Sequence, residues 1–571
     1  MWLPDLCPSS RGVEKMSEKI WQESYPPGIP REIDVDAFTS LKDILIESCK
    51  RFAALPAFSN LGTTLSYAEL DRLSGAFAAF LQHGLGLEKG ARVAIMLPNV
   101  LQYPIALFGA LRAGLTVVNV NPLYTARELE HQLKDSGAQT IIVLENFART
   151  LQQTLPRTAV KTVITTQLGD LLPTLKRLLV NLVVKHVKKL VPDWRIGGTI
   201  EFRDCLEHGA GLELDDVHVG HDDIAFLQYT GGTTGVAKGA ILTHRNMVAN
   251  LQQATAWMSQ DLKEGEETVI TPLPMYHIFS LTANCLTFMK YGGHNVLITN
   301  PRDLPAFVKE LQKLPFSAIT GVNTLYNALL NTAGFADLDF GRLKIALGGG
   351  AAVQRAVAER WKAITGRPLI EAYGLTECAP AACINLLSID AYTGSVGLPI
   401  PSTEVSIREE DGKVMPFGTV GEICVRGPQV MKGYWNMPEA TAEVLTADGW
   451  LRTGDLGTMD EHGYVRITDR KKDMILVSGF NVYPTEIEEV AAMHPGVLDS
   501  AAVGIPDEKS GEAVKLFVVR RDVGLSAEAL IRHCRENLTG YKVPKVIEFR
   551  AELPKSPIGK ILRRELRENA A

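Results

Sequence analysis

Short apolar segments rich in β-branched residues alternate with helical patterns through the first two-thirds of the chain. The strand-like segments include Arg92–Met96, Thr116–Val120, Thr140–Leu144, Thr162–Thr166, Asn295–Thr299 and Ala318–Thr320. Helical patterns at Leu101–Ala113 and Thr125–Ser136 lie between strand-like segments. Parallel strands need long crossover connections, and these are usually helices. The alternation therefore predicts an α/β fold with layered, largely parallel sheets.

The pattern changes after Ser395, where short strands are separated by frequent turn signals. Glu404–Ile407 and Glu422–Val425 are apolar and β-branched, and the turn signals are Asp411-Gly412, Asp448-Gly449 and His462-Gly463. This spacing indicates a small β-rich subdomain at the end of the large body.

A charged cluster, Asp469–Asp473, precedes a fresh α/β pattern that continues to the end of the chain. The predicted organisation has three parts: an N-terminal extension at 1–30 that is partly disordered, a large N-terminal body at 31–471, and a small C-terminal α+β domain at 472–571.

Composition excludes several classes of protein. Net charge is −6, whereas binding to nucleic-acid phosphates normally requires an excess of Lys and Arg. No apolar run approaches the roughly 20 residues of a membrane span, and Met1–Lys15 lacks the apolar core of a signal peptide. The eight cysteines contain no Cys-x-x-Cys pair, so neither a zinc site nor a redox site is expected. Free thiols are typical of a reducing compartment, which predicts a cytoplasmic location.

The strongest local signal is the segment from Tyr229 to Gly239, Tyr-Thr-Gly-Gly-Thr-Thr-Gly-Val-Ala-Lys-Gly. It follows a strand-like stretch at Ile224–Leu227. Glycines let backbone N–H groups turn toward an anion, threonine hydroxyls add donors, and Lys238 supplies positive charge. The segment is not a Walker-type loop, because no Ser or Thr follows Lys238. A flexible hairpin is the alternative interpretation.

Together with four later motifs, this segment resembles the adenylate-forming (AMP-binding) superfamily. The motifs are Tyr373–Glu377, Thr453–Asp455, Asp469–Asp473 and Pro554–Lys560, and their order and spacing agree from Thr39 to Arg567. Within the superfamily the chain is most similar to bacterial long-chain-fatty-acid–CoA ligases. The resemblance implies a large body, a small mobile C-terminal lid, and activation of a carboxylate by ATP followed by transfer to coenzyme A.

The resemblance assigns roles to residues that match the family motifs. The predicted ATP- and AMP-binding residues are Tyr229, Thr230, Gly231, Gly232, Thr233, Thr234, Gly235, Lys238, Gly349, Gly350, Ala351, Glu371, Ala372, Tyr373, Gly374, Thr376, Asp455, Arg470, Lys472 and Lys560. Thr230 and Glu377 are predicted to bind Mg²⁺, and Ser478 and Gly479 to border the CoA path. Lys560, Lys238 and His277 are the predicted catalytic residues, with Lys472 as the pivot between domains.

Taken one at a time, several of these motifs also have a purely structural interpretation. Thr376 and Glu377 can cap a helix, Gly348–Ala351 can be a plain turn after a strand, and Asp455 can be a turn former. His277 can be a buried histidine with hydrogen-bond partners in the core, or it can pack over the substrate carboxylate. The sequence favours neither interpretation.

The expected reaction converts a fatty acid, ATP and CoA into acyl-CoA, AMP and pyrophosphate. Segments Pro272–Leu281 and Ala318–Tyr326 match the family's acyl pocket and contain no Asp or Glu, which disfavours amino-acid substrates. The alternatives are a ligase that loads a carrier protein, a luciferase-like oxygenase and a non-catalytic fatty-acid sensor. Carrier-protein ligases typically carry an insertion near the domain junction, and none is evident between Asp473 and Glu489.

Leu175–Leu190 forms a basic amphipathic pattern, with leucines on one arc and Arg177, Lys185 and Lys188 mostly opposite. Such a helix can lie on anionic lipid, which predicts peripheral association with the inner face of the membrane. A surface helix packed on the core is the alternative. A homodimer is also left open by the sequence.

Overall fold

The computed structural model describes residues 19–230 and 237–568. Within them, an eight-stranded sheet runs in the order Gly433–Tyr434, Lys238–Thr243, Ile224–Thr230, Thr116–Asn119, Arg92–Met96, Thr140–Leu144, Thr162–Thr166 and Ile200–Glu201. Its strands are parallel from Ile224–Thr230 onward, and the first two pair antiparallel. The predicted α/β fold with parallel sheets is confirmed.

A second, nine-stranded sheet completes the large body. Its order is Leu398–Pro399, Ala381–Ile384, Leu369–Gly374, Ile345–Gly348, Ala318–Gly321, Thr268–Thr271, His294–Leu297, Pro56–Asn60 and Thr63–Ser66. The central strands are parallel and the edges antiparallel. Ligands of such sheets bind at the carboxyl ends of parallel strands, so these ends are where a site is expected.

Helices cover the sheets and connect their strands. In chain order the α-helices of the described residues are Leu41–Arg51, Tyr67–Ala79, Gln102–Arg112, Ala126–Ser136, Ala148–Thr154, Thr174–Leu182, Phe202–Gly209, His244–Met258, Ile278–Ser280, Thr287–Lys290, Leu304–Leu311, Asn323–Leu330, Arg355–Thr365, Pro438–Val444, Pro484–Ala492, Ala527–Asn537 and Arg563–Glu568. Gln102–Arg112 and His244–Met258 are buried along most of their length. Such burial on nearly all sides is typical of a helix enclosed between layers.

Buried hydrogen bonds join the two large sheets near the carboxyl ends of their strands. The Tyr103 hydroxyl shares its single proton between Asn119 Oδ1, at 2.7 Å, and the carbonyl of Met275, at 2.8 Å. Asn99 donates to the carbonyls of Thr271 and Leu273, both at 2.9 Å. Because buried polar groups need partners, these bonds hold the segment that leads to His277 in a defined position.

Two smaller sheets follow. The first has the order Glu404–Arg408, Gly421–Arg426, Leu451–Met459 and Val465–Arg470, antiparallel throughout, and confirms the β-rich subdomain. The second, from residue 475 onward, runs Phe480–Val482, Ile475–Val477, Gly511–Arg520 and Val497–Asp507, with Val546–Arg550 also paired to Gly511–Arg520. Helices Pro484–Ala492 and Ala527–Asn537 contribute buried residues to its core, which makes this C-terminal region a small α+β unit.

The basic amphipathic segment is helical, but its apolar side does not pack on the core. The α-helix Thr174–Leu182 continues as a π-helical turn, Val183–Val187. Leu175 is 85% exposed, and Leu178, Leu179, Leu182 and Leu190 are each more than half exposed. In the described part of the chain, no helix is long and apolar enough to cross a membrane.

Residues 1–18 lie outside the described part of the chain. The remainder of the predicted extension is packed: Ile20–Ser24 forms a 3₁₀ turn with Trp21 buried, and Tyr25 donates to the carbonyl of Pro399 at 2.5 Å.

Candidate active site

The glycine- and threonine-rich segment is held at both ends by an antiparallel hairpin. Strands Ile224–Thr230 and Lys238–Thr243 pair directly, with Thr230 opposite Lys238 and Tyr229 opposite Gly239. The predicted nucleotide-binding residues Gly231, Gly232, Thr233, Thr234 and Gly235 lie outside the described residues. The hairpin therefore places the two ends of the segment side by side, at the carboxyl end of a central strand.

Tyr229 is a buried anchor of this hairpin. Its hydroxyl donates to Asp135 Oδ2 at 2.5 Å, and burial together with that carboxylate raises the pKa of Tyr229. A Cβ at Gly239 would lie 3.0 Å from the Tyr229 ring, so glycine there allows the ring to pack across the hairpin. The side chain of Tyr229 consequently supports the base of the loop.

The carboxyl ends of two neighbouring parallel strands carry the second group of predicted residues. Ile345–Gly348 is followed by Gly349 and Gly350, and Leu369–Gly374 contains Glu371, Ala372 and Tyr373. A Cβ at Gly349 would meet Phe279 at 3.2 Å and the Ala372 carbonyl at 3.3 Å, so the backbone approaches its neighbours closely. Ala351 and Gly374 lie on the same edge, at the ends of these segments.

A hydrogen-bonded triad links Tyr373, Asp455 and Arg470 across three strands. The Tyr373 hydroxyl donates to Asp455 Oδ2 at 2.8 Å, and Arg470 Nε pairs with Asp455 Oδ1 at 3.0 Å. Asp455 is only 5% exposed, and a buried carboxylate is stable only when it is paired in this way. The structure thus brings three predicted nucleotide-binding residues into direct contact.

Thr376 and Glu377 lie in a short 3₁₀ turn that follows this edge. The Glu377 carboxylate accepts a hydrogen bond from the Tyr434 hydroxyl at 2.6 Å. Lys238 Nζ lies 5.0 Å from the centroid of the same tyrosine ring. Glu377, the predicted metal ligand, and Lys238, a predicted catalytic residue, therefore both lie against the side chain of Tyr434.

Lys560 is presented to the site by a tight turn of the C-terminal region. The Ser556 N–H donates to the Lys560 carbonyl at 2.7 Å, and the Gly559 N–H donates to the Ser556 carbonyl at 2.8 Å. Gly559 has φ +87°, and its carbonyl accepts a hydrogen bond from Thr324 Oγ1 at 2.9 Å. A Cβ at Gly350 would lie 3.8 Å from Ile558, so this turn contacts the edge that carries Gly349 and Gly350.

The electrostatic setting of Lys560 shows which groups surround it. Burial and the charge of Arg470 lower the pKa of Lys560 to about 8. Burial and the charge of Lys560 lower the pKa of His277 to about 4. Lys560, His277 and the Asp455–Arg470 pair are thus close enough to influence one another, and His277 is neutral at physiological pH.

His277 also has a structural role, because its Nδ1 accepts from the Phe279 N–H at 3.3 Å, as an N-cap does. Glu371 is buried as well. Burial, with the charge of Glu489, raises the pKa of Glu371 to about 8. Since Glu489 lies in Pro484–Ala492, this interaction crosses from the large body to the C-terminal region.

The two residues predicted to border the CoA path make no contact with this cleft. Ser478 and Gly479 are exposed, and a Cβ at Gly479 would have no atom within 4 Å among the described residues. Lys472 is exposed at the surface but lies close to the Asp455–Arg470 pair, since burial and the charge of Arg470 lower the pKa of Lys472 to about 8.

The residues present suit a magnesium ion bound together with substrate phosphates. In the described ranges, no group of three or more His, Cys, Asp and Glu side chains could hold a metal by itself. Glu377 nevertheless offers a carboxylate oxygen, already oriented by Tyr434. Mg²⁺ commonly binds through one or two carboxylates, water and substrate phosphates, so a single carboxylate at this position is compatible with it.

Two contacts of this cleft were not identified from the sequence, although Thr324 lies in the predicted acyl-pocket segment Ala318–Tyr326. Tyr434 lies 57 positions from Glu377 and Thr324 lies 235 positions from Gly559, so no local pattern connects either pair. The dipeptide Gly433-Tyr434 next to Trp435 was the one available signal for Tyr434, and it is also typical of an ordinary edge strand.

Comparison with known proteins gives a consistent assignment. The profile of the AMP-binding enzyme family matches residues 45–435, and that of the AMP-binding enzyme C-terminal domain matches residues 486–560. Together these matches include every described residue of the cleft except the segment around Asp455 and Arg470.

Two curated relatives extend over nearly the whole chain. A long-chain-fatty-acid–CoA ligase of Yersinia pestis is 58% identical over 96% of this chain and 98% of its own length. One from Escherichia coli O6:H1 is 58% identical over 97% of this chain and 98% of its own length. Among solved structures, ATP-bound MatB from Rhodopseudomonas palustris has a TM-score of 0.78 and 28% identity, covering 92% of this chain and 98% of that one.

Proposed function

The chain belongs to the AMP-binding enzyme family, and on that premise we propose that it is an ATP-dependent long-chain-fatty-acid–CoA ligase. The observation that carries the proposal is the Lys560 turn, which docks beside His277 and the Asp455–Arg470 pair at the strand ends. Relatives named long-chain-fatty-acid–CoA ligases, matched over almost their full length, support the choice of substrate.

In the proposed first step, a fatty-acid carboxylate attacks the α-phosphorus of ATP and expels pyrophosphate. Both reactants are negatively charged, so catalysis depends on positioning and on positive charge placed in advance. Lys560 supplies such a charge at the strand-end edge, and Lys238 supplies another at the base of the loop. Asp455 offers carboxylate oxygens to the ribose hydroxyls, and Tyr373 and Arg470 hold that carboxylate in place.

Glu377 and Thr230 are the residues that would hold magnesium with the substrate phosphates. When bound, the ion neutralises phosphate charge and polarises the phosphoryl oxygens. The contribution of the chain is to keep the Glu377 carboxylate oriented, through its hydrogen bond from Tyr434.

In the second step, the thiol of CoA attacks the acyl-adenylate and releases AMP. Gly479 is exposed, and a Cβ there would have no described atom within 4 Å, while the Lys560 turn is docked. The proposed mechanism therefore includes a rotation of the domain at 472–571 about Lys472, which exchanges the Lys560 turn for the Ser478–Gly479 turn.

A pyrophosphate-release assay with fatty acids of increasing chain length tests this function. Each buried methylene contributes up to ~0.8 kcal/mol, so activity should rise with chain length until the acyl pocket is full. Formation of a CoA thioester separates this function from loading of a carrier protein. Equal turnover of acetate and a long-chain acid, or pyrophosphate release with no thioester formed from CoA, would contradict the proposal.

Peripheral membrane association is a further part of the proposal. The helix Thr174–Leu182 exposes leucines that a core-packed helix would bury, and Leu175 is 85% exposed. Lys185 pairs with Glu145 at 3.4 Å, whereas Arg177 and Lys188 form no ion pair with a described residue. Exposed leucines beside unpaired basic groups are the features of a helix that lies in an anionic lipid interface.

Sedimentation with anionic vesicles tests this association. Leu175→Ser with Leu179→Ser should abolish binding, and Arg177→Glu with Lys188→Glu should weaken it more at low salt than at high salt. A matched control is Lys161→Glu with Arg535→Glu, because both residues are exposed and lie elsewhere. If the leucine variant binds vesicles as well as the parent, the helix does not mediate association.

A further inference from the structure

Tyr434 lies between two oppositely charged groups of the candidate site. It belongs to the edge strand Gly433–Tyr434, which pairs antiparallel with the strand that begins at Lys238. Its hydroxyl donates to Glu377 Oε1 at 2.6 Å, and its ring lies 5.0 Å from Lys238 Nζ. One side chain therefore contacts both the predicted metal ligand and the lysine at the end of the phosphate-binding segment.

Backbone hydrogen bonds hold Tyr434 and Glu377 in these positions. Its N–H donates to Thr441 Oγ1 at 2.9 Å, and the next residue, Trp435, donates from its N–H to the Gly239 carbonyl at 2.8 Å. The Met431 N–H donates to the Glu377 carbonyl at 2.8 Å. Tyr434 is 9% exposed, so its rotamer is confined by packing as well.

Tyr434 is suited to act as a neutral donor. A phenol is neutral at physiological pH, and the Tyr434 hydroxyl donates a hydrogen bond to the Glu377 carboxylate. A neutral phenol can donate to a carboxylate and can present a ring face to an ammonium group at the same time.

Without the intervening ring, Lys238 and Glu377 would be free to pair with each other. Opposite charges attract several-fold more strongly in a protein cleft than in water, and a direct pair would neutralise both groups. Both residues are described, and no ion pair joins them. We propose that Tyr434 is a positioning residue for adenylate formation, which keeps Glu377 and Lys238 apart and available to magnesium-bound ATP.

This inference rests on the proposed function and predicts where a defect would appear. Under the proposed function, pyrophosphate leaves in the first half-reaction, and magnesium bound with the substrate phosphates would act in that step. Loss of the Tyr434 hydroxyl should therefore impair ATP binding that depends on magnesium and should slow adenylate formation. Conversion of supplied acyl-adenylate and CoA into thioester should remain at the parent rate.

Isothermal titration of ATP, with magnesium and with EDTA, provides a readout independent of turnover. A hydrogen bond to a charged group contributes more free energy than one between neutral groups. Tyr434→Phe should therefore reduce the magnesium-dependent gain in ATP affinity about 10- to 100-fold. Affinity in EDTA should change less than about twofold, since the Tyr434→Phe ring still contacts Lys238. Tyr434→Leu removes both contacts and should lower affinity in both conditions.

A matched control and a double variant separate positioning from general destabilisation. Trp435→Phe perturbs the adjacent residue, whose indole donates to the Asp135 carbonyl at 3.0 Å, and should leave the magnesium dependence unchanged. In a Glu377→Gln background, Tyr434→Phe should add little further loss, because contacting residues are not additive.

Three results would overturn the inference: an equal loss of affinity with and without magnesium in Tyr434→Phe, an equal loss in the thioester-forming step, or full additivity with Glu377→Gln. If the parent itself shows neither magnesium-dependent ATP binding nor pyrophosphate release, the proposed function fails. If the parent is active and Tyr434→Phe behaves like Trp435→Phe, only the role of Tyr434 fails.

Discussion

Two glycine turns of the C-terminal region have the same backbone conformation and opposite surroundings. Gly559 has φ +87° and Gly479 has φ +83°, so both occupy the left-handed region that favours glycine. A Cβ at Gly559 would meet Thr324 Oγ1 at 2.7 Å, whereas a Cβ at Gly479 would have no neighbour within 4 Å among the described residues. The first turn docks in the cleft, and the second faces solvent.

The difference indicates why two turns are present. Backbone geometry explains glycine at both positions, but close approach to the large body explains only Gly559 in this arrangement. Under the proposed function, Gly479 is needed when the C-terminal domain has rotated and CoA approaches. The arrangement seen here is then the one that serves adenylate formation, with Lys560 beside His277.

Among the variants, replacement of Lys560 should change the relative rates of the two half-reactions most strongly. Lys560→Ala removes a charge that is positioned before the reaction, and such losses cost about 10²–10³ in rate. Single-turnover kinetics should show that loss in adenylate formation, while supplied acyl-adenylate and CoA still yield thioester. Equal damage to both half-reactions in a folded variant would contradict a role confined to the docked turn.

The reciprocal variant is Gly479→Leu, which should impair the thioester-forming step and spare adenylate formation. A side chain inserted into a close-packed path costs roughly 1–3 kcal/mol, a loss of about 5- to 150-fold. Backbone strain at positive φ is a separate cost, so Gly412→Leu is the matched control. Gly412 has φ +89° and open space around its Cβ. If Gly412→Leu shows the same kinetic defect, the effect of Gly479→Leu is strain alone.

The pH dependence of the docked turn follows from Lys560, whose pKa is lowered to about 8 by burial and Arg470. A lysine with a depressed pKa is charged below that value, so kcat/KM for adenylate formation should be level below pH 8. Above pH 8 it should fall about tenfold per pH unit, since kcat/KM reports the free enzyme.

Glu371, with a pKa raised to about 8 by burial and Glu489, titrates in the same window, so a variant is needed to assign the effect. Lys560→Arg remains charged throughout and should flatten the profile above pH 8. His277, with a pKa lowered to about 4, is neutral over this range. A profile that falls equally in Lys560→Arg would assign the pH dependence to another group.

The smallest expected effect concerns the hydrogen bond that docks the turn. Thr324→Val removes the donor to the Gly559 carbonyl and keeps the shape of the side chain. A typical net hydrogen bond contributes about 0.5–1.5 kcal/mol, so adenylate formation should slow about 2- to 12-fold. Thr332→Val, whose hydroxyl donates to the Ala328 carbonyl at 2.8 Å beyond the predicted acyl-pocket segment, is the control. An unchanged rate in Thr324→Val would show that docking does not depend on this bond.

The sequence by itself determined the fold class and most strand positions. Arg92–Met96, Thr140–Leu144 and Thr162–Thr166 have the bounds predicted from their apolar, β-branched composition, because buried parallel strands are continuous apolar runs. The resemblance to the adenylate-forming superfamily, rather than any local pattern, also singled out Tyr373, Asp455 and Arg470, which the structure brings into contact. Residues Thr174–Leu182 were predicted to be helical, but the spacing of the leucines could not show whether they face the core or solvent.

Only the tertiary structure decided the contacts between distant segments. Tyr434 with Glu377, and Thr324 with Gly559, join residues that no local pattern relates. The sequence equally could not distinguish the docked turn of Lys560 from the exposed turn of Gly479, because glycine at positive φ is required in both. The physical reason is that a turn's conformation is local, whereas the side chains it meets depend on how the separate layers pack.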